Sequence, residues 1–137
     1  MKQSIKKTTT VRKLKSSDFK EKKILVGTSK LEVDFADLFL RPYKIKYEYQ
    51  YFARDIGRYY DYYLPDFNVL IEVDGDYFHS YGLTYENMNH MQKKSKRIDR
   101  LKDEWAIVKH IKLIRIWEHE IREHPEIVRK KLKSVIT

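Results

Sequence analysis

The chain has 137 residues, of which 42% are hydrophobic and 14% aromatic, so it is long and apolar enough to fold as one domain and is unlike a disordered chain. Its 29 Lys and Arg residues outnumber its 20 Asp and Glu residues. The resulting net charge of +9 favours a polyanionic partner such as nucleic acid, with a merely soluble basic protein as the alternative.

The first 23 residues, MKQSIKKTTTVRKLKSSDFKEKK, are basic, rich in Ser and Thr, and poor in apolar residues. This composition predicts a mobile basic arm at residues 1–27, followed by a single domain at residues 28–137. Such an arm can lie along DNA phosphates with cations such as Lys13 and Lys15. A solvated tail without contacts is the alternative interpretation.

A first helix is predicted at about residues 30–40. Its apolar residues recur at helical spacing: Leu31, Phe35, Leu38 and Phe39. Ser29 and Glu32 have the spacing of a capping box, in which the serine accepts a backbone hydrogen bond and the glutamate returns one. Glu32 also borders the apolar stripe, so a position facing a site under the sheet is the alternative.

Three strands follow in the sequence. Tyrosines alternate with polar residues at positions 47–51, residues 58–64 form a second candidate strand, and residues 69–74 form a third that Gly75 ends. Pro65 begins a turn between the last two strands. Alternation places half of the tyrosines of the second strand on the core side and leaves the others as candidates for stacking on DNA: Tyr59, Tyr60, Tyr62 and Tyr63.

A long helix is predicted at about residues 85–109. The residues expected to face the core lie three or four apart: Met88, Met91, Ser95, Ile98, Leu101, Trp105 and Val108. Cations dominate the remaining surface of the helix: Lys93, Lys94, Lys96, Arg97, Arg100 and Lys102. All of these except Lys102 are assigned to a candidate phosphate-binding face. A fourth strand at residues 111–117 and a last helix beginning at Pro125 complete the predicted order α-β-β-β-α-β-α.

Glu72 and Asp74 lie two residues apart at the end of the third strand, so their side chains share one face of the sheet. Burying two like charges is unfavourable without a cation, and carboxylates are the ligands that Mg²⁺ prefers. A hairpin would bring Asp61 beside them. Because phosphodiester hydrolysis needs such a cluster, Asp74, Glu72 and Asp61 are predicted to bind Mg²⁺ or Mn²⁺, with solvated strand-end acids as the alternative.

His79 follows this strand by five residues, within reach of a general acid or base role. A structural histidine is the alternative. His90, His110, His119 and His124 have no comparable sequence context.

Three stretches, SKLEVDFADLF, RYYDYYLPDFNVLIEVDGDYFH and RIDRLKDEWAIVKHIKLIRIWEHEI, span residues 29–121. In this order they resemble the very-short-patch repair endonuclease branch of the PD-(D/E)XK nucleases, and also phage homing endonucleases of that fold. The resemblance implies an α/β (α+β) fold with a mixed sheet and a restriction-endonuclease-like core, and magnesium-dependent hydrolysis of DNA.

Carried over by position, the resemblance implies that Asp74 binds the metal and that Glu32 is the acid of the first helix. His79 takes the place of the catalytic histidine, with His90 as the alternative. Asp99 corresponds to a region in which related homing enzymes use a further acid. Two departures favour a homing or restriction-like nuclease over mismatch repair. Asp74 stands where the lysine of the motif is usual, and a chain without cysteine cannot form the repair enzyme's zinc site.

We therefore expect a divalent-metal-dependent endodeoxyribonuclease acting on double-stranded DNA in the cytoplasm of a bacterium or phage-infected cell. A chain of this size would read a long target as a homodimer or higher homo-oligomer. No membrane partner is expected, because no apolar run approaches roughly 20 residues. A nucleic-acid-binding module without catalysis and an RNA-directed nuclease remain the alternatives.

Overall fold

The computed structural model describes residues 29–136, so the predicted arm, with Lys13 and Lys15, lies outside the described part of the chain. Asp34–Thr137 forms one compact unit. The described helices and strands are, in order, α1 (Lys30–Phe39), β1 (Glu48–Ala53), β2 (Arg58–Leu64), β3 (Val69–Asp74), α2 (His90–Val108), β4 (Lys112–Trp117), α3 (Glu118–Glu123) and α4 (Pro125–Lys133).

The four strands form one mixed sheet in the order β1-β2-β3-β4. The first three strands are antiparallel neighbours, whereas β4 pairs with β3 in parallel after the crossover through α2. The register sets Glu72 beside Arg115 and Asp74 beside Trp117. The predicted mixed α/β class is therefore confirmed, and β3 and β4 end at the same edge of the sheet.

The second strand shows the predicted alternation of its tyrosines. Tyr60 and Tyr62 are buried, whereas Tyr59 is exposed and Tyr63 is half-buried. The next strand, β3, is buried along its whole length, including its two acids. A strand covered on both faces has no solvent to hydrate its charges, so any acid on it needs partners within the protein.

The first helix begins as predicted, because the backbone N–H of Glu32 donates to Ser29 Oγ at 3.1 Å. Phe35 and Phe39 are buried, as expected from the apolar stripe. Leu38 is exposed, so its assignment to that stripe was wrong. The third buried residue of the helix is Ala36, which directly follows Phe35.

The long helix begins five residues later than predicted. Residues Tyr85–Asn87 form a separate 3₁₀ turn, and Met88 is extended. Asn89 then caps α2, accepting from the backbone N–H of Gln92 at 2.8 Å while Gln92 Oε1 accepts from the N–H of Asn89 at 3.1 Å. This reciprocal pair satisfies two donors at the helix start, which makes Asn89 the point where the helix begins.

The predicted core face of this helix was right only in part, since Met88 is buried and Trp105 packs against the core, whereas three other predicted positions are exposed. Met91 and Val108 are 57% and 72% exposed, and Leu101 is exposed as well. The buried residues of α2 are instead mostly polar: Gln92, Asp99, Lys102 and Ala106. The physical reason is that α2 packs its buried charged residues toward the charged end of β3, and this turns part of its apolar stripe toward solvent.

The chain after β4 differs from the prediction by one element. A short helix, α3, separates β4 from the last helix, and the sequence had not indicated it. The last helix begins at Pro125 as predicted and buries Val128 and Leu132. No helix within residues 29–136 is both long and apolar enough to cross a membrane.

Candidate functional site

Both acids of β3 are buried, with Glu72 3% and Asp74 2% exposed. Their spacing of two residues on a strand places their side chains on one face. Each of them meets a cation supplied by another element, Lys102 from α2 or Arg115 from β4. The charge compensation that we had expected from a divalent ion is thus provided in part by the protein.

Glu72 is bound by the protein at both carboxylate oxygens. Lys102 Nζ forms an ion pair with Oε2, and the backbone N–H of Asp61 donates to Oε1 at 2.9 Å. Lys102 is itself fixed by Tyr60, whose ring lies 4.9 Å from Nζ and whose hydroxyl donates to the Lys102 carbonyl at 2.7 Å. Glu72 therefore joins β2, β3 and α2 in one buried contact.

Asp61 lies beside Glu72, as the hairpin geometry predicted. Its Oδ2 accepts from the backbone N–H of Val73 at 2.7 Å, while its own N–H goes to Glu72. The regular pairing of β2 with β3 runs only as far as Tyr62 opposite Ile71. Beyond that point, hydrogen bonds from backbone N–H groups to the side chains of Asp61 and Glu72 connect the two strands.

Asp74 is compensated less completely than Glu72. Arg115 Nη1 lies 3.4 Å from its Oδ1 and 3.2 Å from its Oδ2, and His79 Nε2 lies 3.7 Å from Oδ1. These distances exceed the roughly 2.7–2.9 Å of a strong charge-assisted bond. Burial raises the pKa of Asp74, and the nearby charges of Arg115 and His79 offset this only partly. A further cation would therefore stabilise this carboxylate.

His79 is held between two acids. Its Nδ1 lies 2.8 Å from Asp99 Oδ2, which leaves Nε2 facing Asp74. Burial by itself lowers the pKa of His79, but the hydrogen bond to Asp99 and the charges of Asp74 and Asp99 outweigh it, and the pKa is raised. The alternative histidine, His90, begins α2 with an exposed side chain.

Arg115 links the acids of two elements and was not identified from the sequence. It contacts Asp74 on β3, and on α2 its Nη2 donates to the Asp99 carbonyl at 3.2 Å and to Asp103 Oδ1 at 2.8 Å. Burial by itself lowers the pKa of Arg115, but Asp74, Asp103 and Asp99 together outweigh it and raise the pKa. The available signal was a single arginine in the otherwise apolar segment LIRIW.

Metal binding by Asp74 stays a prediction. Within residues 29–136, no group of three or more His, Asp or Glu side chains is arranged to hold a metal. Magnesium, however, is commonly held by one or two carboxylates, with waters and substrate phosphates completing its shell. Metal binding by Glu72 and Asp61 stays a prediction, and it requires their bonds to Lys102 and to backbone amides to be exchanged.

The cations of the candidate phosphate-binding face lie at least partly on the surface, as predicted, whereas Lys102, which was also expected there, is buried. Lys94, Arg97 and Arg100 are exposed, and Lys93 and Lys96 are half-buried. Arg97 donates to the hydroxyl of Tyr85 at 3.3 Å, and Lys93 Nζ lies 5.0 Å from the centre of the same ring. This face can receive phosphates, and it adjoins an aromatic side chain on which a base can stack.

The loop after β3 presents further aromatic rings that we had not singled out. Tyr77 and Phe78 are 61% and 54% exposed and directly precede His79. On β2, by contrast, Tyr59 packs against Phe52 at 4.7 Å between ring centres and Tyr63 against Tyr51 at 4.8 Å. Tyr77 and Phe78 also lie edge to face, 5.3 Å apart between ring centres, but both are more exposed than the tyrosines of β2 and so offer more surface for stacking.

Comparison with protein-family models, with curated proteins and with solved structures gave no match for this chain. The function is accordingly argued from the residues and their geometry.

Proposed function

We propose that this chain is a divalent-metal-dependent endodeoxyribonuclease with a restriction-endonuclease-like core, of the kind its sequence resembles. One observation carries the proposal. His79, which Asp99 orients, faces Asp74, a buried carboxylate whose negative charge is only partly balanced by the cations around it. Buried acids with perturbed pKa values beside an oriented histidine are typical of catalytic sites.

In this proposal Asp74 would hold Mg²⁺ or Mn²⁺, which when bound would supply positive charge at the scissile phosphate and lower the pKa of a water. His79 accepts or donates the proton at Nε2. Asp99 binds the Nδ1–H, sets the tautomer and stabilises the imidazolium. Arg115 keeps Asp99 in place through its backbone carbonyl.

The DNA is bound through charge rather than base recognition. The exposed cations of α2 contact phosphates, which position the duplex without reading its sequence. The exposed rings of Tyr77 and Phe78 add stacking beside the reactive phosphate. We further propose that the protein acts in the cytoplasm, and that a homodimer provides the span needed for a long target.

One observation favours a second candidate, a nucleic-acid-binding module without catalysis. Lys102 and Arg115 already pair with both acids of β3, so these acids can be retained for folding alone. A binding module does not explain why His79 is oriented between Asp74 and Asp99. We therefore place this candidate second.

A cleavage assay separates the two candidates. Purified protein is incubated with supercoiled plasmid and with single-stranded RNA, in Mg²⁺, in Mn²⁺ or in EDTA. The nuclease proposal expects DNA cleavage with either metal and none in EDTA. Asp74→Asn should abolish it, and Asp66→Asn, an exposed acid in the β2–β3 turn, should not. Cleavage in EDTA would contradict the mechanism, and DNA binding without cleavage under every condition would favour the binding module.

A further inference from the structure

Residues 75–82, which we call the His79 loop, connect the end of β3 to the segment leading into α2. Backbone hydrogen bonds between nearby residues hold the loop in tight turns. The His79 N–H donates to the Gly75 carbonyl at 3.1 Å, and the Tyr81 N–H donates to the Asp76 carbonyl at 2.9 Å. Apart from Ser80, most of its side chains are partly or fully exposed. Apolar burial therefore contributes little to its stability, and polar anchors must hold it.

One anchor comes from the beginning of α2. Gln92, a buried side chain, donates from Nε2 to the carbonyl of Tyr77 at 2.7 Å, and Asn89 Nδ2 donates to the Tyr77 hydroxyl at 2.9 Å. Gln92 thus has two functions, because its Oε1 also completes the capping box with Asn89. The start of α2 and the middle of the loop are fixed together.

A second anchor comes from the end of β4 and the start of α3. His119 Nδ1 lies 3.0 Å from Asp76 Oδ1, and the backbone N–H of Asp76 donates to Glu118 Oε1 at 3.1 Å. The ring of Tyr81 lies 4.3 Å from that of His119 and 5.0 Å from that of Trp117. Both ends of the loop are thus tied to the end of β4 and the start of α3.

We propose that Gln92 and His119 are positioning residues, which hold the His79 loop from opposite sides so that the imidazole of His79 stays between Asp74 and Asp99. Neither side chain has a described contact with Asp74 or His79; each acts through the loop. The proposal rests on the proposed nuclease function for its catalytic consequence, while its structural consequence can be measured without any cleavage.

The test uses two variants that remove one anchor each. Gln92→Glu can still accept the Asn89 N–H in the capping box but cannot donate to the Tyr77 carbonyl. His119→Phe keeps a ring against Tyr81 and removes the bond to Asp76. The control is His124→Phe, which removes an exposed ion pair to Glu126 elsewhere in the domain.

Amide hydrogen exchange should speed up by about tenfold at loop positions in both anchor variants, with the β3 amides unchanged. Because a displaced catalytic group slows the chemical step, kcat for plasmid cleavage should fall by about a hundredfold with KM unchanged. The control should match the wild type. Measuring both variants keeps the test decisive if one of them folds poorly.

Unchanged loop exchange in folded anchor variants would overturn the proposal, as would faster exchange with normal kcat in an active protein. If the exchange changes as expected but the wild-type protein cleaves no nucleic acid, the anchoring of the loop stands and the nuclease function fails.

Discussion

At the scale of single residues, Asp74 is a buried carboxylate whose negative charge is only partly balanced by nearby cations. Its pKa is raised mainly by burial, against the smaller opposing effects of Arg115 and His79. The native state therefore binds the proton more tightly than the unfolded chain does. Ionised Asp74 accordingly reduces stability above its native pKa, and this penalty disappears as the pH falls toward the ordinary carboxyl pKa of about 3.9.

From this balance we predict that Asp74→Asn raises the melting temperature at neutral pH while cleavage falls by several orders of magnitude. The gain in melting temperature should shrink as the pH is lowered toward about 4. Thermal melts between acidic and neutral pH, paired with plasmid cleavage, measure both effects. Cleavage within about tenfold of the wild type, or roughly 1.4 kcal/mol, would mean that Asp74 does not bind the metal.

The charged form of His79 stabilises the native state, whereas the charged form of Asp74 destabilises it. The raised pKa of His79 means that the native protein favours the protonated imidazole. Its stabilising contribution is fully present below the unfolded pKa of about 6.5 and is lost as the pH rises through the native value. We predict that Asp99→Asn lowers the pKa of His79 in an NMR titration and reduces this pH dependence of the melting temperature, while the charge of Asp74 still acts on His79. The His110 resonance serves as the internal control, and an unshifted His79 would contradict the orienting role of Asp99.

The backbone N–H of Glu32 donates to Ser29 Oγ in the helix cap, and the resemblance assigns the Glu32 side chain a role in the site. Glu32→Gln preserves the spacing of a capping box, since glutamine is accepted at that position. We predict a nearly unchanged melting temperature together with lost cleavage. Ser29→Ala is the comparison, expected to lose about 1 kcal/mol of stability through the cap alone. Normal cleavage by Glu32→Gln would leave only the role in capping.

At the scale of the elements, α2 is docked through apolar and charged contacts together. Ala106 and Trp105 pack into the core beside Tyr60, and a buried ion pair adds to these contacts. The Glu72–Lys102 pair is buried on both sides, with the two side chains 4% and 11% exposed. Removing one partner leaves a buried charge without compensation, which typically costs about 3–5 kcal/mol. The position of this helix matters because Asp99 lies on the same buried face.

We therefore predict that Lys102→Met destabilises the protein by about 3–5 kcal/mol and that adding Glu72→Gln recovers much of the loss. Lys109→Met, which breaks the exposed pair with Asp55 at 3.2 Å, should change stability by less than about 1 kcal/mol. Denaturant unfolding of the single and double variants measures these energies. Additive effects of the two buried substitutions would show that the ion pair does not dock the helix.

At the scale of the whole molecule, the net charge of +9 is expected to act through counterion release from DNA. Replacing Lys94, Arg97 and Arg100 with Gln should flatten the plot of log affinity against log salt by about 0.9 for each phosphate that the protein no longer neutralises. The matched control is the same substitution at Arg129, Lys130 and Lys133, which are exposed on α4. Equal slopes for both triple variants would show that α2 is not the phosphate-binding face.

The sequence by itself determined the features that depend on near neighbours. The bounds of β2 and β3 agree with the predicted ranges, because the side-chain pattern of each strand and the turn residues between them are local. Strand geometry alone places the side chains of Glu72 and Asp74 on one face of the sheet. The hairpin then brings Asp61 beside Glu72.

Only the tertiary structure decided which partners these acids meet. Lys102 and Arg115 lie 30 residues from Glu72 and 41 residues from Asp74 in the sequence, and no local pattern links them. Periodicity predicted that α2 is a helix but not which face is buried, since the helix carries both an apolar stripe and a polar one. The docking of α2 buries Lys102 beside Glu72 as well as Ala106 in the core, because a buried carboxylate needs a charged partner within the protein.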